Sequence, residues 1–269
     1  MKDLCGERPI GVFDSGVGGL TVFRALRRAM PREHLVYLGD TARVPYGTKS
    51  KEAVTRYSLE IGRFLERRGV KHVVVACNTA TALALPALKR ALNVPVTGVI
   101  QPAVHAARAA ARSGAVAVIG TEGTVASGAY QKAWRRAGAK GRMVAAACPL
   151  FVPLVEAGWW DHKVTKAVAK AYLEPLLRAK PAALILGCTH YPLLKPVLAA
   201  VAGRRVVLID SGTATASQVR ALLAGRGVLR RGGKGSTEFF VTDGPGRFEL
   251  LAKRFLGRAA KAKVVRFPG

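Results

Sequence analysis

The sequence predicts an α/β fold of two pseudo-symmetric three-layer α/β domains with mostly parallel sheets and an active site in the interdomain cleft. Apolar, strand-like runs alternate with helix-like segments from residue 9 to residue 225. The order of motifs in the first half recurs in the second, and polar residues follow the predicted strands. Repeated strand–helix–strand units form parallel sheets covered on both faces. Ligands of such sheets bind beyond the carboxyl ends of the strands.

The predicted strands are short apolar runs, most of which lead to a glycine-rich turn or a polar residue. In the first half the runs lead, in chain order, to the glycine-rich turn at residues 16–19, to Asp40 and to Cys77. In the second half they lead to Thr121, Cys148, Cys188 and Asp210. The strands are predicted at residues 9–13, 35–39, 72–76, 95–99, 115–119, 142–147, 182–187 and 205–209. The helices are predicted at residues 18–29, 50–68, 80–92, 102–113, 124–137, 162–179, 192–201 and 213–225.

The matched order of these motifs favours an internal duplication. Asp14 precedes Cys77 by 63 residues, and Thr121 precedes Cys188 by 67 residues. A duplication would place Cys77 and Cys188 facing each other across a pseudo-two-fold axis. The alternative is that any chain of alternating strands and helices offers such pairs by chance.

The length of 269 residues suits one large or two modest domains with a buried core. The chain is predicted to change domain near residues 98–102 and again near residues 210–212. Residues 1–99 and 211–269 therefore form a first, discontinuous domain, and residues 100–210 form a second.

Composition excludes several classes of protein. No run approaches the ~20 apolar residues that span a bilayer, so membrane insertion is not expected. The first residues lack the apolar core of a signal peptide, which predicts a cytoplasmic protein with reduced cysteines. The sequence has no Cys-x-x-Cys pair or histidine-rich cluster, and no metal site is predicted.

The chain is strongly basic, with 43 Lys and Arg against 16 Asp and Glu and a net charge of +27. Much of this charge lies at residues 226–234 and 247–266, away from the candidate site. A positive field attracts an anionic substrate, and it also attracts nucleic acid without sequence preference. Because no aromatic-interleaved basic patch or nucleic-acid motif is present, a solvated basic surface is the favoured interpretation. Non-specific nucleic-acid binding stays open.

The turn at residues 16–19 partly matches a dinucleotide-binding turn. It follows a strand and opens a helix, and Asp40 lies about 20 residues further on. The pattern, however, requires glycine where Thr21 stands, and a polar loop follows Asp40. We therefore favour a turn whose backbone N–H groups approach a small anion at a helix N-terminus.

Two strand-end cysteines suggest proton transfer without a cofactor. Inverting an α-carbon needs a base on one face and an acid on the other, and two cysteines fill these roles when one is thiolate and the other thiol. An ordinary cysteine has a pKa of about 8.5, so a site must favour the thiolate. Both Cys77 and Cys188 precede a predicted helix N-terminus, whose dipole would do so. No lysine lies in a Schiff-base context.

Six segments, in order, resemble the signatures of bacterial glutamate racemases. The Asp-Ser-Gly-Val-Gly-Gly turn and the Gly-Cys-Thr-His-Tyr-Pro segment are specific as a pair, and the resemblance covers nearly the whole chain. Members of this family interconvert L- and D-glutamate without pyridoxal phosphate and supply D-glutamate for peptidoglycan. The resemblance also implies a homodimer. The segments are residues 11–22, 39–48, 76–80, 120–125, 149–158 and 187–194.

The resemblance assigns roles to particular residues. Asp14 would assist Cys77, which acts on D-glutamate, and His190 with Glu156 would assist Cys188, which acts on L-glutamate. The substrate would be held by residues whose hydroxyl, amide and backbone N–H groups bind two carboxylates. They are Ser15, Pro45, Tyr46, Gly47, Asn78, Thr79, Thr121 and Thr189.

Simpler roles stay open for several residues. Asp14 could cap its turn, His190 could be a structural histidine, and Glu156 lies in a segment predicted as a loop. Cys148 is expected to be a small buried hydrophobe and Cys5 an exposed thiol without a role. A related activity on aspartate or another small acid is the alternative within the enzyme class.

Overall fold

A computed structural model of the chain describes residues 4–112 and 114–267. The strands are β1 (Ile10–Asp14), β2 (Leu35–Gly39), β3 (His72–Val75), β4 (Val96–Gly98), β5 (Val116–Gly120), β6 (Met143–Ala147), β7 (Ala183–Gly187), β8 (Val207–Asp210), β9 (Thr237–Val241) and β10 (Lys263–Val264). The helices are α1 (Leu4–Glu7), α2 (Leu20–Ala29), α3 (Lys51–Arg67), α4 (Asn78–Ala91), α5 (Ile100–Ala111), α6 (Glu122–Ala126), α7 (Ala129–Arg136), α8 (Phe151–Glu156), α9 (Lys163–Leu177), α10 (Lys195–Ala202), α11 (Ser211–Gly225) and α12 (Pro245–Leu256), with short 3₁₀ helices at Tyr46–Thr48 and Tyr191–Leu194.

The strands form two parallel sheets that share one topology. The six-stranded sheet has the order β10–β9–β2–β1–β3–β4, and the four-stranded sheet has the order β6–β5–β7–β8. In each sheet the first strand lies between the second and third, and the fourth pairs with the third. The equivalence of β3 and β7 places Cys77 and Cys188 at equivalent strand ends, which confirms the predicted pseudo-symmetric α/β architecture.

A shared core joins the two sheets. The largest cluster of buried hydrophobic residues includes Val12 and Val74 from one sheet and Ile119 and Leu186 from the other. Helix α11, which follows the last strand of the second sheet, packs against both α2 and α5. Parallel strands with near-continuous apolar sequence are buried on both faces in this way.

The strands of the six-stranded sheet come from residues 10–98 and 237–264, and those of the four-stranded sheet from residues 116–210. The exact domain limits at residues 99/100 and 210/211 stay a prediction. Among the described helices, none is both long enough and apolar enough to cross a bilayer.

Two local expectations were wrong, and three elements were not predicted. The segment predicted as one helix at residues 124–137 forms two helices, α6 and α7. Gly128 lies between them with a positive φ of 63°, which interrupts the helical backbone. Glu156 is the last residue of a helix, α8, and does not lie in a loop. The elements after residue 225, β9, α12 and β10, were not predicted. The side chain of Cys5 lies outside the described residues, whereas Cys148 is fully buried as expected.

Candidate active site

Cys77 lies at the carboxyl end of β3 and caps helix α4. Its sulfur accepts a hydrogen bond from the backbone N–H of Ala80 at 3.4 Å, as predicted for a cysteine at a helix N-terminus. The thiol donates to Ser15 Oγ at 3.7 Å. Burial, with the nearby charge of Asp14, raises the pKa of Cys77 to about 12. Cys77 is therefore a protonated thiol, and hence a proton donor, at neutral pH.

Asp14 connects the first sheet with the segment that contains the second cysteine. Its carboxylate accepts hydrogen bonds from Gly16 N–H at 3.1 Å and from Thr189 Oγ1 at 3.4 Å. Burial raises the pKa of this carboxyl group, against the opposing charge of His190. Asp14 thus organises its own turn and also contacts the opposite domain, so it does more than cap the turn.

Cys188 is the first member of a relay of three side chains. Its sulfur lies 3.9 Å from Nδ1 of His190, and Nε2 of His190 lies 3.2 Å from Oε1 of Glu156. Burial lowers the pKa of His190, but its hydrogen bonds with Cys188 and Glu156 prevail and raise the pKa to about 10. The hydrogen bond with His190 lowers the pKa of Glu156. His190 is therefore an imidazolium at neutral pH, and its Nδ1 lies 3.9 Å from the sulfur of Cys188.

The two thiols consequently have different surroundings, although each is only 6% exposed. Cys77 has a hydroxyl partner and a nearby carboxylate, whereas Cys188 has a cation. The helix predicted at residues 192–201 consists of a 3₁₀ turn that begins at Tyr191 and of helix α10, which begins at Lys195, so no helix begins directly after Cys188. The positive charge nearest to Cys188 in this segment is therefore that of His190, and not that of a helix N-terminus.

The charged relay makes the stability of the fold depend on pH. The folded-state pKa of His190, about 10, exceeds the ordinary value of 6.5. Its stabilising contribution is present in full below pH 6.5 and is lost as the pH rises through 10. We expect the thermal midpoint to fall over this range, and to fall less steeply in His190→Gln. The exposed His105 provides the control: an equal slope for His190→Gln and His105→Gln would contradict the expectation.

Three threonine hydroxyls connect the two domains. Thr79 Oγ1 lies 2.9 Å from Thr121 Oγ1 and 3.2 Å from Thr124 Oγ1. Thr79 belongs to α4, and Thr121 caps α6 through its side chain. The structure therefore brings together the predicted residues Thr79 and Thr121 from opposite domains.

The side-chain amide of Asn78, another predicted binding residue, has a hydrogen-bond partner at its oxygen but not at its nitrogen. Its Oδ1 accepts a hydrogen bond from the hydroxyl of Tyr130 at 2.7 Å. Its Nδ2 is buried without a hydrogen-bond partner in the protein. An unpaired buried donor costs about 1–3 kcal/mol, so this amide group is suited to an anionic ligand.

The predicted segment Pro45–Gly47 contributes in a different way. The hydroxyl of Tyr46 donates to the carboxylate of Asp40, and the ring is almost fully buried. A Cβ on Gly47 would lie 2.9 Å from Cβ of Thr121. The backbone of this segment therefore lies against Thr121 at the start of α6, whereas the hydroxyl of Tyr46 is bound to Asp40.

Asp40 is also unsuited to binding a ribose. Its buried carboxylate accepts hydrogen bonds from Thr242 at 2.9 Å and from Nε of Arg43 at 2.8 Å, in addition to that from Tyr46. These bonds fix the loops around β2, so the partial match to a dinucleotide-binding turn has no free acidic partner.

The sequence indicated a special turn at residues 16–19 but not the reason for it. A Cβ on Gly18 would lie 2.3 Å from Thr189 Oγ1 and 2.4 Å from His190 Nδ1. Thr21, the next polar residue, donates to the carbonyl oxygen of Thr189 at 2.8 Å. Gly18 therefore permits the His190 segment of the opposite domain to approach. Neither Thr21 nor Tyr130 has a sequence signal that separates it from an ordinary helical residue.

The chain is similar to known racemases in both sequence and structure. A family model described as Asp/Glu/Hydantoin racemase matches residues 10–219. A glutamate racemase of Geobacter metallireducens is 53% identical over 251 residues, which are 93% of each chain. The structure of glutamate racemase isoform RacE1 from Bacillus anthracis superposes with a TM-score of 0.95 at 39% identity, over 98% of this chain and 99% of that one. That of a Francisella tularensis glutamate racemase in complex with D-glutamate has a TM-score of 0.90 at 34% identity, over 97% and 98%.

Proposed function

The chain belongs to the Asp/Glu/Hydantoin racemase family, and from this membership we propose that it interconverts L- and D-glutamate by two-thiol proton transfer, without a cofactor. The observation that supports the mechanism is the pair of buried cysteines at equivalent strand ends, one beside a hydroxyl and one beside a cationic histidine. The relatives named for glutamate, one of them with D-glutamate bound, support the substrate.

In the proposed reaction, the Cys188 thiolate removes the α-proton from L-glutamate. The electron pair left on the α-carbon takes the proton of the Cys77 thiol on the opposite face, which produces D-glutamate, a Cys188 thiol and a Cys77 thiolate. In the reverse direction Cys77 is the base and Cys188 the acid. His190 stabilises the Cys188 thiolate, and the hydrogen bonds to Cys77 from Ala80 N–H and with Ser15 become stronger when Cys77 is charged.

The substrate carboxylates would bind the unpaired amide donor of the site and the hydroxyl groups near it. The buried Nδ2 of Asn78 lies on the residue next to Cys77, and the hydroxyls of Ser15, Thr79, Thr121 and Thr189 surround the same region. Pro45, Tyr46 and Gly47 would complete the binding set through their backbone. Fixed donors around the α-carboxylate stabilise the negative charge that develops when the α-proton leaves.

The biological role that we propose follows the family resemblance. The product D-glutamate would supply peptidoglycan synthesis in the cytoplasm, and the enzyme would act as a homodimer. The cationic protein would also attract its anionic substrate at low salt.

Circular dichroism of purified protein with L-glutamate, without added cofactor, tests the proposal. We expect the amino-acid signal to decay to zero, because the two enantiomers are equally stable, and D-glutamate to decay to the same end point. L-aspartate is measured in parallel. Decay with aspartate but not with glutamate would assign the related activity, and decay with neither would exclude the proposal.

Tyr130 should affect binding of this substrate without touching it. Tyr130→Phe removes the hydroxyl that holds Asn78 Oδ1 and so fixes the direction of the amide. We expect kcat/KM to fall about tenfold, chiefly through KM, because an interaction that is equal in the bound and transition states changes KM. Steady-state kinetics in both directions checks this, and the partly buried Tyr172→Phe serves as the control. An unchanged KM in Tyr130→Phe would contradict the expectation.

A further inference from the structure

Helix α12 of the first domain contacts the Cys188 relay of the second domain at three points. Nη2 of Arg247 donates to Oε2 of Glu156 at 3.1 Å, and Nη1 of Arg254 donates to the backbone oxygen of Glu156 at 3.1 Å. The ring of Phe255 lies edge-on to the ring of His190, with 5.5 Å between centroids and 88° between planes. The same helix therefore contacts both assistants of Cys188.

The first domain fixes the position of α12. The helix packs against α2, and Nη1 of Arg24 donates to the backbone oxygen of Phe255 at 2.9 Å. Strands β9 and β10, which flank α12 in the chain, extend the six-stranded sheet. The contacts with Glu156 and His190 consequently depend on how the two domains are placed against each other.

We propose that Arg247 is a positioning residue for the Cys188 half of the reaction. Glu156 offers one carboxylate oxygen to His190 and the other to Arg247. With its second oxygen held from the first domain, the carboxylate has one orientation in which the first oxygen reaches Nε2. Without Arg247 the carboxylate rotates more freely, and His190 loses its fixed direction toward the sulfur of Cys188.

The exposure of Arg247 separates this role from a structural one. Its side chain is 76% exposed, whereas that of Glu156 is 22% exposed. Exposed ion pairs contribute little to stability, so a variant at Arg247 should fold like the parent protein. Its effect should appear in the proton transfer.

This inference rests on the proposed racemisation, and it predicts a specific change in the primary isotope effects of the two enantiomers. Because the equilibrium constant between enantiomers is one, kcat/KM must fall equally in both directions whichever thiol is impaired. Isotope effects do distinguish the thiols. If transfer at Cys188 becomes slower, cleavage of the α-carbon–deuterium bond limits the rate more for the enantiomer that Cys188 deprotonates, and less for the other.

The test uses Arg247→Ala with α-deuterated L- and D-glutamate. We expect kcat/KM to fall about tenfold in both directions. The primary isotope effect should rise for L-glutamate, which Cys188 deprotonates, and should fall toward unity for D-glutamate. Arg247→Lys, which keeps the charge, should recover part of the loss. Lys253→Ala removes one positive charge from an exposed position of the same helix and should match the wild type.

The outcomes separate the two proposals. No racemisation by the wild-type protein would refute the proposed function. An active wild type with Arg247→Ala isotope effects that are unchanged, or that change in the same direction for both enantiomers, would overturn the role of Arg247. An effect of Lys253→Ala equal to that of Arg247→Ala would also overturn it, because general charge would then explain the result.

Discussion

Replacing either Cys77 or Cys188 with alanine should lower racemisation in both directions by at least about 10³-fold, within the range for loss of a general acid or base. Inversion needs both thiols in every turnover, because one removes the proton and the other supplies a proton to the opposite face. Cys77→Ala and Cys188→Ala should therefore be similarly inactive, although the two thiols have different surroundings. Circular dichroism with each enantiomer measures the loss.

Cys148 provides a matched control for both variants. It is a third strand-end cysteine, fully buried, that follows β6 outside the proposed catalytic pair. Cys148→Ala should keep racemisation close to that of the wild type and cost only some stability, through the small volume that is lost. Racemisation by Cys77→Ala or Cys188→Ala at the level of Cys148→Ala would refute the assignment of the two thiols.

Gly18→Ala should disable the site through sterics alone. The added Cβ would overlap Thr189 Oγ1 at 2.3 Å and His190 Nδ1 at 2.4 Å, so the turn and the His190 segment must separate. A displacement of about 1 Å costs about 10²-fold in rate, and overpacking of this kind destabilises by about 1–3 kcal/mol. Steady-state kinetics and thermal unfolding measure the two effects.

The control for Gly18→Ala is Gly225→Ala. Gly225 ends helix α11, and a Cβ there meets no atom within 4 Å. Alanine at such a site should leave activity unchanged and the fold as stable as before or slightly more so. If Gly18→Ala retained full activity, the close approach between the turn and His190 would have no catalytic significance.

The sequence predicted the architecture because the relevant signals are local. Eight apolar runs alternate with helical segments, and the matched positions of Cys77 and Cys188 follow from one strand order repeated in both sheets. Asn78, Thr79, Thr189 and His190 are close in the chain to the cysteines. Asp14 and Thr121 are distant in the chain, but each stands at the end of a strand that pairs with a cysteine-bearing strand, so their approach in space follows from the parallel arrangement.

The elements after residue 225 were not predicted, although two of them have a local signal. Strand β9 is an aromatic and β-branched run, Thr237–Val241, and α12 lies between Gly244 and Gly257, so a signal existed. Residues 226–234 and 247–266 are rich in Lys and Arg, and this composition indicated a solvated surface instead of buried elements. The contact of Arg247 with Glu156 has no local signal at all, since 91 residues separate the partners.

Deuterium incorporation during the first few per cent of reaction tests the two-thiol mechanism most directly. Wild-type protein is incubated with L-glutamate in deuterium oxide, the enantiomers are separated, and each is analysed by mass spectrometry. We expect the D-glutamate to carry one deuterium at the α-carbon, from the opposite thiol, while the remaining L-glutamate keeps its proton. D-glutamate that retains the original proton would show that a single base removes and returns it, and would contradict the two-thiol account.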